Sequence, residues 1–183
     1  MPARPLALAL VLAPVAALAD VCAGSADLAQ GVIVTYASGG HDTFTADARR
    51  PGVVVQEGEI GGRSLGRVEL GQGYVYLSAT DPEGRVVRYD YDTLPANLPL
   101  PQPGGEWEAV AVVSAGGASS TERQTHHFGP EGTLTIGDCT WPLVEVTVTW
   151  PGDAETRYWF PGIGISVSAG EQVTAITPAA LAP

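Results

Sequence analysis

The sequence predicts an all-β, single-domain fold, an antiparallel meander that forms a curved sheet or a half-open barrel or sandwich. Short runs of β-branched and aromatic residues recur along the chain, and Gly, Pro, Asp and Ser separate them, as turns require. After residue 19, no window keeps apolar residues at helical spacing, and residues 23–28 have room for one short turn. The predicted strands are residues 32–36, 53–56, 73–79, 85–91, 107–114, 121–128, 132–136, 143–150, 155–160 and 164–168.

The segments between these runs favour antiparallel order. In the strand at 143–150, valines share one face and polar residues share the other, which is typical of a strand with one wet side. Residues 81–84 have Pro and Gly at turn positions and predict a hairpin, and residues 128–132 and 150–153 predict two more. Residues 94–105 are rich in proline, so we interpret this segment as an extended crossover within one domain.

The N-terminus has the features of a secretory signal peptide. Arg4 precedes an apolar run, and Ala17 and Ala19 are the small residues that flank a cleavage site before Asp20. We therefore predict a signal peptide at 1–19, an all-β domain at 20–176 and a disordered tail at 177–183. The apolar run is too short to span a bilayer, so we expect a periplasmic or secreted product that does not span a membrane.

The charge balance disfavours two classes of partner. The chain has 20 acidic residues against 9 basic ones, and its formal net charge is -11. Nucleic-acid binding depends on clustered cations, so a chain this acidic is not expected to bind DNA or RNA. Association with an anionic membrane surface is disfavoured for the same reason. We expect a monomer that needs no cofactor.

The chain contains two cysteines, Cys22 and Cys139. An even pair in an exported protein predicts a disulfide, which here would clamp the N-terminal segment onto the body of the domain. The alternative, a redox-active pair, normally uses Cys-x-x-Cys spacing, which this sequence lacks.

The histidines do not predict a metal site. His126 and His127 are neighbours on a predicted strand, so their side chains point to opposite faces and cannot bind one ion without a bulge. His41 stands beside Asp42, but the sequence does not place this pair near the other two. We predict solvated or hydrogen-bonded histidines and no metal ligands.

Two acidic residues share a strand face. Asp90 and Asp92 alternate with Tyr89 and Tyr91, a spacing that suits an acid/base pair or part of a calcium site. Calcium loops need more oxygen ligands on a turn, and the chain has no Asp-x-Asp-x-Asp-Gly series. The interpretation that we adopt is a solvated acidic face opposite a tyrosine-lined inner face.

The sequence predicts that the protein is not an enzyme. The chain has no lysine for a Ser-Lys pair or a Schiff base. Phosphate-binding loops and dinucleotide fingerprints are also missing from the sequence. A hydrolase remains a minor alternative.

Large aromatic residues concentrate in the second half of the chain. Adjacent Tyr158 and Trp159 must face opposite sides of their strand, so this strand either lies between two layers or exposes aromatic surface. We predict a ligand-binding face formed by Trp107, Trp150, Tyr158 and Trp159 on a non-catalytic carrier for an apolar or amphipathic molecule. The alternatives are a filled core and an envelope protein that binds a protein partner through a sheet edge or an exposed aromatic face.

The second half, mainly residues 88–168, resembles uncharacterised secreted bacterial proteins with a LolA-like curved sheet, the architecture of lipoprotein carriers. The resemblance rests on a proline-rich segment before a Gly-x-Trp strand, a Gly-rich turn, and a Tyr-containing strand that leads into "PGIG". The matching positions are Pro103, Gly105, Trp107, Gly137, Tyr158, Gly162 and Gly164. The resemblance implies a curved sheet that covers a ligand or partner on its concave face, and it implies no catalytic residue.

Overall fold

Twelve antiparallel strands form one open sheet in residues 21–181, the part of the chain that this computed structural model describes. Each strand from β1 to β10 pairs with the next along the chain, β11 is one edge of the sheet, and β12 returns to pair with β1 at the other edge. The prediction of an all-β antiparallel meander is therefore confirmed. The strands are β1 (Val32–Tyr36), β2 (Gly40–Ala46), β3 (Val53–Ile60), β4 (Arg63–Gly71), β5 (Val75–Thr80), β6 (Val86–Asp90), β7 (Glu106–Ala115), β8 (Ala118–Ile136), β9 (Cys139–Trp150), β10 (Asp153–Phe160), β11 (Ile165–Ser168) and β12 (Val173–Pro178).

Three strands, β2, β4 and β12, were not predicted from the sequence, and β8 is longer than expected. The predicted turn at 128–132 is wrong, because β8 runs through these residues as one strand paired with β9. The register shifts between Phe128 and Glu131, and this irregularity accommodates Pro130, which has no N–H to donate to a ladder.

The other two hairpins are confirmed. The Gly84 amide donates to the Asp81 carbonyl at 3.0 Å, and Asp153 pairs with Trp150. The crossover at 94–105 is a wrong prediction, since β6 and β7, which this segment connects, are neighbours in the sheet. The segment instead packs over the sheet, with Leu98 buried and the Tyr74 hydroxyl donating to the Pro99 carbonyl.

Ordered structure continues beyond the predicted domain boundary at residue 176. Thr177 and Pro178 pair with Ile33 and Val32 of β1, and a 3₁₀ turn follows at Ala179–Leu181. This differs from the predicted tail at 177–183, because β1 offers a free edge that holds these residues. Residues 182 and 183, like the predicted signal peptide at 1–19, lie outside the described residues.

The sheet curls so that its β11 edge is buried inside the molecule. Ile165, Ser166 and Val167 of β11 are fully buried, although their side chains alternate between the two faces of the strand. Ile165 and Val167 belong to a cluster with β1–β4, and Trp159 of the neighbouring β10 belongs to a second cluster with β9. Of the two structures left open for adjacent Tyr158 and Trp159, the observed one is a strand between two packed layers.

Close backbone approach fixes this arrangement at one point. Gly73 has φ of +74°, and a Cβ at this position would collide with the carbonyl oxygen of Gly164. The Ser166 hydroxyl donates to the Gly73 carbonyl at 2.8 Å. Only glycine fits at position 73.

The N-terminal segment is fastened to the curled end of the sheet. Cys22 and Cys139 form the predicted disulfide, with Cα atoms 5.5 Å apart. The Trp141 indole donates to the Ala23 carbonyl at 2.9 Å, and a 3₁₀ helix at Ser25–Ala29 matches the predicted short helical turn. None of the helices in residues 21–181 is long and apolar enough to cross a membrane.

Candidate functional site

The four predicted ligand residues do not form one surface. Trp107, Trp150 and Trp159 pack with one hydrophobic cluster, whereas Tyr158 packs with the other. Trp159 is only 6% exposed, and its indole donates to the Gln72 carbonyl. Trp107 and Trp150 are half-buried. Trp159 therefore has a packing role, and its function in ligand binding stays a prediction.

His126 and His127 lie on opposite faces of β8, as strand alternation predicts. His127 is exposed and lies 2.8 Å from Glu106, whereas His126 is 1% exposed. The expectation of a solvated or hydrogen-bonded side chain is wrong for His126, because neither of its ring nitrogens has a hydrogen-bond partner among residues 21–181. Within residues 21–181, no group of three or more His, Cys, Asp or Glu side chains is arranged to hold a metal ion.

An open cleft of about 930 Å³ lies where β5 and β6 separate. The two strands pair at only three positions, the last being Ser78 with Arg88, although β5 begins at Val75 and β6 continues to Asp90. The neighbouring segments 47–50 and 92–95 complete the walls. We call this feature the β5–β6 cleft. Its size falls within the range of roughly 300–1,000 Å³ that is typical of small-molecule sites.

The β5–β6 cleft combines apolar and aromatic residues with a charged rim. Leu77, Tyr89, Tyr91 and Leu94 line it. Asp90 and Asp92 are exposed while Tyr89 and Tyr91 are half-buried, which confirms the predicted acidic face opposite a tyrosine face. The rim carries four arginines and four carboxylates, Arg49, Arg50, Arg67, Arg88, Asp47, Glu69, Asp90 and Asp92.

Some of these rim charges neutralise one another. Arg50 donates two hydrogen bonds to Glu69, both at 2.8 Å, and a third to Asp47 at 2.7 Å. The Arg50 hydrogen bonds lower the pKa of Glu69 to about 2. By contrast, Arg49 and Arg88 have no ion-pair partner in the described part of the chain. Asp90 and Asp92 also have no ion-pair partner there, so the unpaired charges of the cleft are two guanidinium groups and two carboxylates.

A second, smaller groove of about 420 Å³ lies over β2–β4 and the turn after β5. Its lining is mostly polar and includes His41, Glu57, Glu59 and Asp81. It lacks the tyrosine and leucine side chains that the β5–β6 cleft has.

A polar network crosses the interior of the curled sheet, and Arg157 is at its centre. Arg157 donates to the hydroxyl and carbonyl oxygens of Ser166 at 2.9 Å each and to Gln56 at 3.2 Å. It also donates to the Tyr76 hydroxyl at 2.7 Å and to Glu155 at 3.1 Å. All five guanidinium N–H groups are thus used, so this buried cation has a structural role.

The network continues from Gln56 toward β1 and β2. Both the Gln56 amide and the Tyr36 hydroxyl donate to Asp42, at 2.7 and 2.6 Å. Burial is the main reason that the pKa of Tyr36 is raised, and burial likewise raises the pKa of Tyr76 to about 12. These phenols remain protonated donors at neutral pH.

An aromatic cluster lies beside the cleft. The ring centroids of Tyr91 and Trp107 are 6.3 Å apart, those of Trp107 and His126 are 4.6 Å apart, and those of His126 and Tyr74 are 5.8 Å apart. Tyr91 belongs both to this row and to the cleft lining. A ligand in the cleft would therefore lie close to a tryptophan.

Comparison of the chain with protein-family models, with curated proteins and with solved structures finds no match. The resemblance to LolA-like proteins consequently stays a prediction.

The arginines of the cleft were not predicted from the sequence. Arg49 and Arg50 precede β3, and Arg67 and Arg88 lie on β4 and β6, so they are far apart in sequence. The one signal in the sequence was composition. In a chain with only 9 basic residues, the cleft contains four of them.

Proposed function

We propose that this protein is a non-catalytic binding or carrier module of the periplasm or the extracellular space, and that its ligand is amphipathic with an anionic head. The observation that carries this proposal is the β5–β6 cleft, where uncommitted arginines stand beside leucine and tyrosine side chains. Arg49 and Arg88 suit a phosphate or carboxylate. Leu77, Tyr89, Tyr91 and Leu94 suit an alkyl or aromatic group, at a gain of roughly 0.8 kcal/mol for each buried CH₂.

Export is part of this proposal. The predicted signal peptide ends at Ala19, and the Cys22–Cys139 disulfide is of the kind that persists in oxidising compartments. We expect the exported product to begin at Asp20. Mass spectrometry of the protein isolated from a periplasm or culture medium checks this expectation, and a product that retains Met1 would contradict it.

Titration with a lysophospholipid tests ligand binding. We expect a saturable change in tryptophan emission, because Trp107 lies next to Tyr91 of the cleft. Replacing Arg88 by Gln should weaken binding by roughly tenfold, since it removes one charge-assisted hydrogen bond.

Arg63→Gln is the matched control. Arg63 is exposed, lies outside the cleft and has no ion-pair partner among the described residues, so its loss makes the same change in net charge. Equal affinity of the Arg88→Gln and Arg63→Gln variants would exclude the cleft as the site of the anionic head. An alkyl glucoside with the same chain length, which lacks the anion, should bind more weakly than the lysophospholipid.

The alternative of a partner-binding envelope protein has less to support it. The β11 edge is buried, which leaves β12 as the outer edge for strand addition. The exposed large apolar residues are distributed over several elements, among them Ile60, Leu65, Leu94, Leu100 and Val110. If no amphiphile binds, β12 is the edge to examine for a protein partner.

A further inference from the structure

His126 is a polar side chain enclosed without a polar partner. It is 1% exposed, and neither Nδ1 nor Nε2 has a hydrogen-bond partner in the part of the chain that the structure describes. Buried polar groups in folded proteins are nearly always hydrogen-bonded, because leaving one unpaired costs stability. An imidazole that is tolerated here in its neutral form would be far more costly as a cation.

Within residues 21–181 no ion pair includes His126, so only the attraction of aromatic rings would offset the cost of burying a positive charge on it. The centroid of a Trp107 ring lies 4.6 Å from that of His126, and the Tyr74 ring, 5.8 Å away, is nearly perpendicular to the imidazole. Phe128 also belongs to this cluster, through Tyr74. The rings are aromatic and largely apolar, so they replace little of the hydration that a protonated imidazole loses.

The titratable and charged groups nearby are already engaged or face elsewhere. On β8, Gln124 accepts from Tyr91 and donates to Glu122. The Tyr74 hydroxyl is directed to Pro99, and burial raises the pKa of both Tyr74 and Tyr91. The pair of His127 and Glu106 occupies the opposite, exposed face of β7 and β8.

We propose that His126 is an acid-sensitive switch, in which proton uptake by its buried imidazole forces His126 and Trp107 apart and loosens the packing of β7 and β8 against Tyr74. The switch needs no ligand, and it stands independently of the function of the β5–β6 cleft. The element that opens is the aromatic cluster. The rest of the sheet remains held by the disulfide and by the Arg157 network.

The pH window follows from proton linkage. Burial lowers the pKa of His126 to about 4, whereas histidine in an unfolded chain has a pKa of about 6.5. Between these values the unfolded state binds more protons than the folded state, so stability is lost as the pH falls through this range. For this one group, the folding equilibrium constant should fall roughly 30-fold between pH 7.5 and pH 5.

Carboxylates change the stability of the protein at lower pH than His126 does, so the two effects can be distinguished. Glu69, with its pKa at about 2, contributes stability that is lost only as the pH falls below the ordinary value of a glutamate. A loss of stability above pH 5 is therefore specific to a group such as His126.

The experiment compares wild type with His126→Phe and with His41→Gln. Urea unfolding is followed by tryptophan emission at pH 7.5 and pH 5. Phe preserves the ring and its packing but takes up no proton, so the 30-fold loss should disappear in His126→Phe. His41, a half-exposed residue on β2, is the control, and its substitution should leave the loss unchanged.

A direct measurement covers the case in which His126→Phe does not fold. NMR titration of the His126 ring protons in wild type should give a midpoint near pH 4, together with a change in the Trp107 signals. A midpoint near that of an unperturbed histidine, or an equal pH dependence of stability in wild type and His126→Phe, would overturn the proposal.

Discussion

Replacing Arg157 by Ala is expected to lower the free energy of unfolding by about 3–5 kcal/mol, the range for breaking a buried ion pair by removing one partner. Arg157 is 3% exposed, and its guanidinium group connects β10 to Ser166 of β11, Gln56 of β3 and Tyr76 of β5. The substitution leaves these acceptors without a donor and opens a cavity where the side chain lay. Because the arginine joins the buried edge of the sheet to the opposite wall, its loss should also loosen the curl.

Chemical denaturation followed by circular dichroism measures this effect. Arg123→Ala is the matched control, since Arg123 forms an exposed ion pair with Glu108 at 3.2 Å, and such pairs contribute no more than about 1 kcal/mol. Tyr76→Phe is a milder variant that removes one hydroxyl, which accepts from Arg157 and donates to Glu155, with an expected loss of about 1–3 kcal/mol. A loss for Arg157→Ala no larger than that for Arg123→Ala would contradict the structural role of the network.

Strands in which apolar and polar residues alternate were predictable from the sequence. The missed strand β2 shows why some strands were not. The inner face of β2 carries Asp42 and Phe44, so its buried side is half polar and has no apolar stripe. Asp42 is acceptable there only because Tyr36 and Gln56 donate to it from the neighbouring strands. Such a partnership depends on tertiary structure, and residues that are distant in sequence give no local sign of it.

The curl of the sheet could also not be predicted from the sequence. A strand pattern indicates which residues share a face, but it does not indicate which faces meet across the interior. Adjacent Tyr158 and Trp159 fitted both a buried strand and an exposed aromatic surface. The structure selects the first, because Tyr158 packs against one hydrophobic cluster and Trp159 belongs to the other, and the neighbouring β11 is fully buried at Ile165, Ser166 and Val167.

For the candidate site, the sequence indicated the tyrosine face of β6 but not the cleft itself. Tyr89, Tyr91, Asp90 and Asp92 were placed correctly by alternation. The cleft lies where β5 and β6 separate after pairing at only three positions, and alternation within a strand does not indicate how far two strands stay paired. Alternation predicted which face of the strand His126 occupies. It did not predict that the side chain is buried among aromatic rings, because Trp107 and Tyr74 come from other strands.

Removal of the Cys22–Cys139 disulfide is also expected to lower the stability of the protein by several kcal/mol. The bond joins residues separated by 117 positions, a loop for which the chain-entropy model gives roughly 5 kcal/mol and measured losses are typically about 2–5 kcal/mol. At roughly 2–4 °C for each kcal/mol in a chain of this size, the double variant Cys22→Ser/Cys139→Ser should melt about 10 °C lower than wild type.

The structure also predicts where the reduced protein loosens first. The N-terminal segment is held to the curled end by the disulfide, by the Trp141 indole bond to Ala23, and by the Ser25 amide bond to Gly162. Hydrogen exchange in the double variant should therefore rise at residues 23–29 before it rises in the central strands. Thiol titration of denatured, unreduced wild type should find no free thiol. Two free thiols, or equal melting temperatures for wild type and the double variant, would contradict the conclusion that this disulfide holds the N-terminal segment to β9 and stabilises the fold.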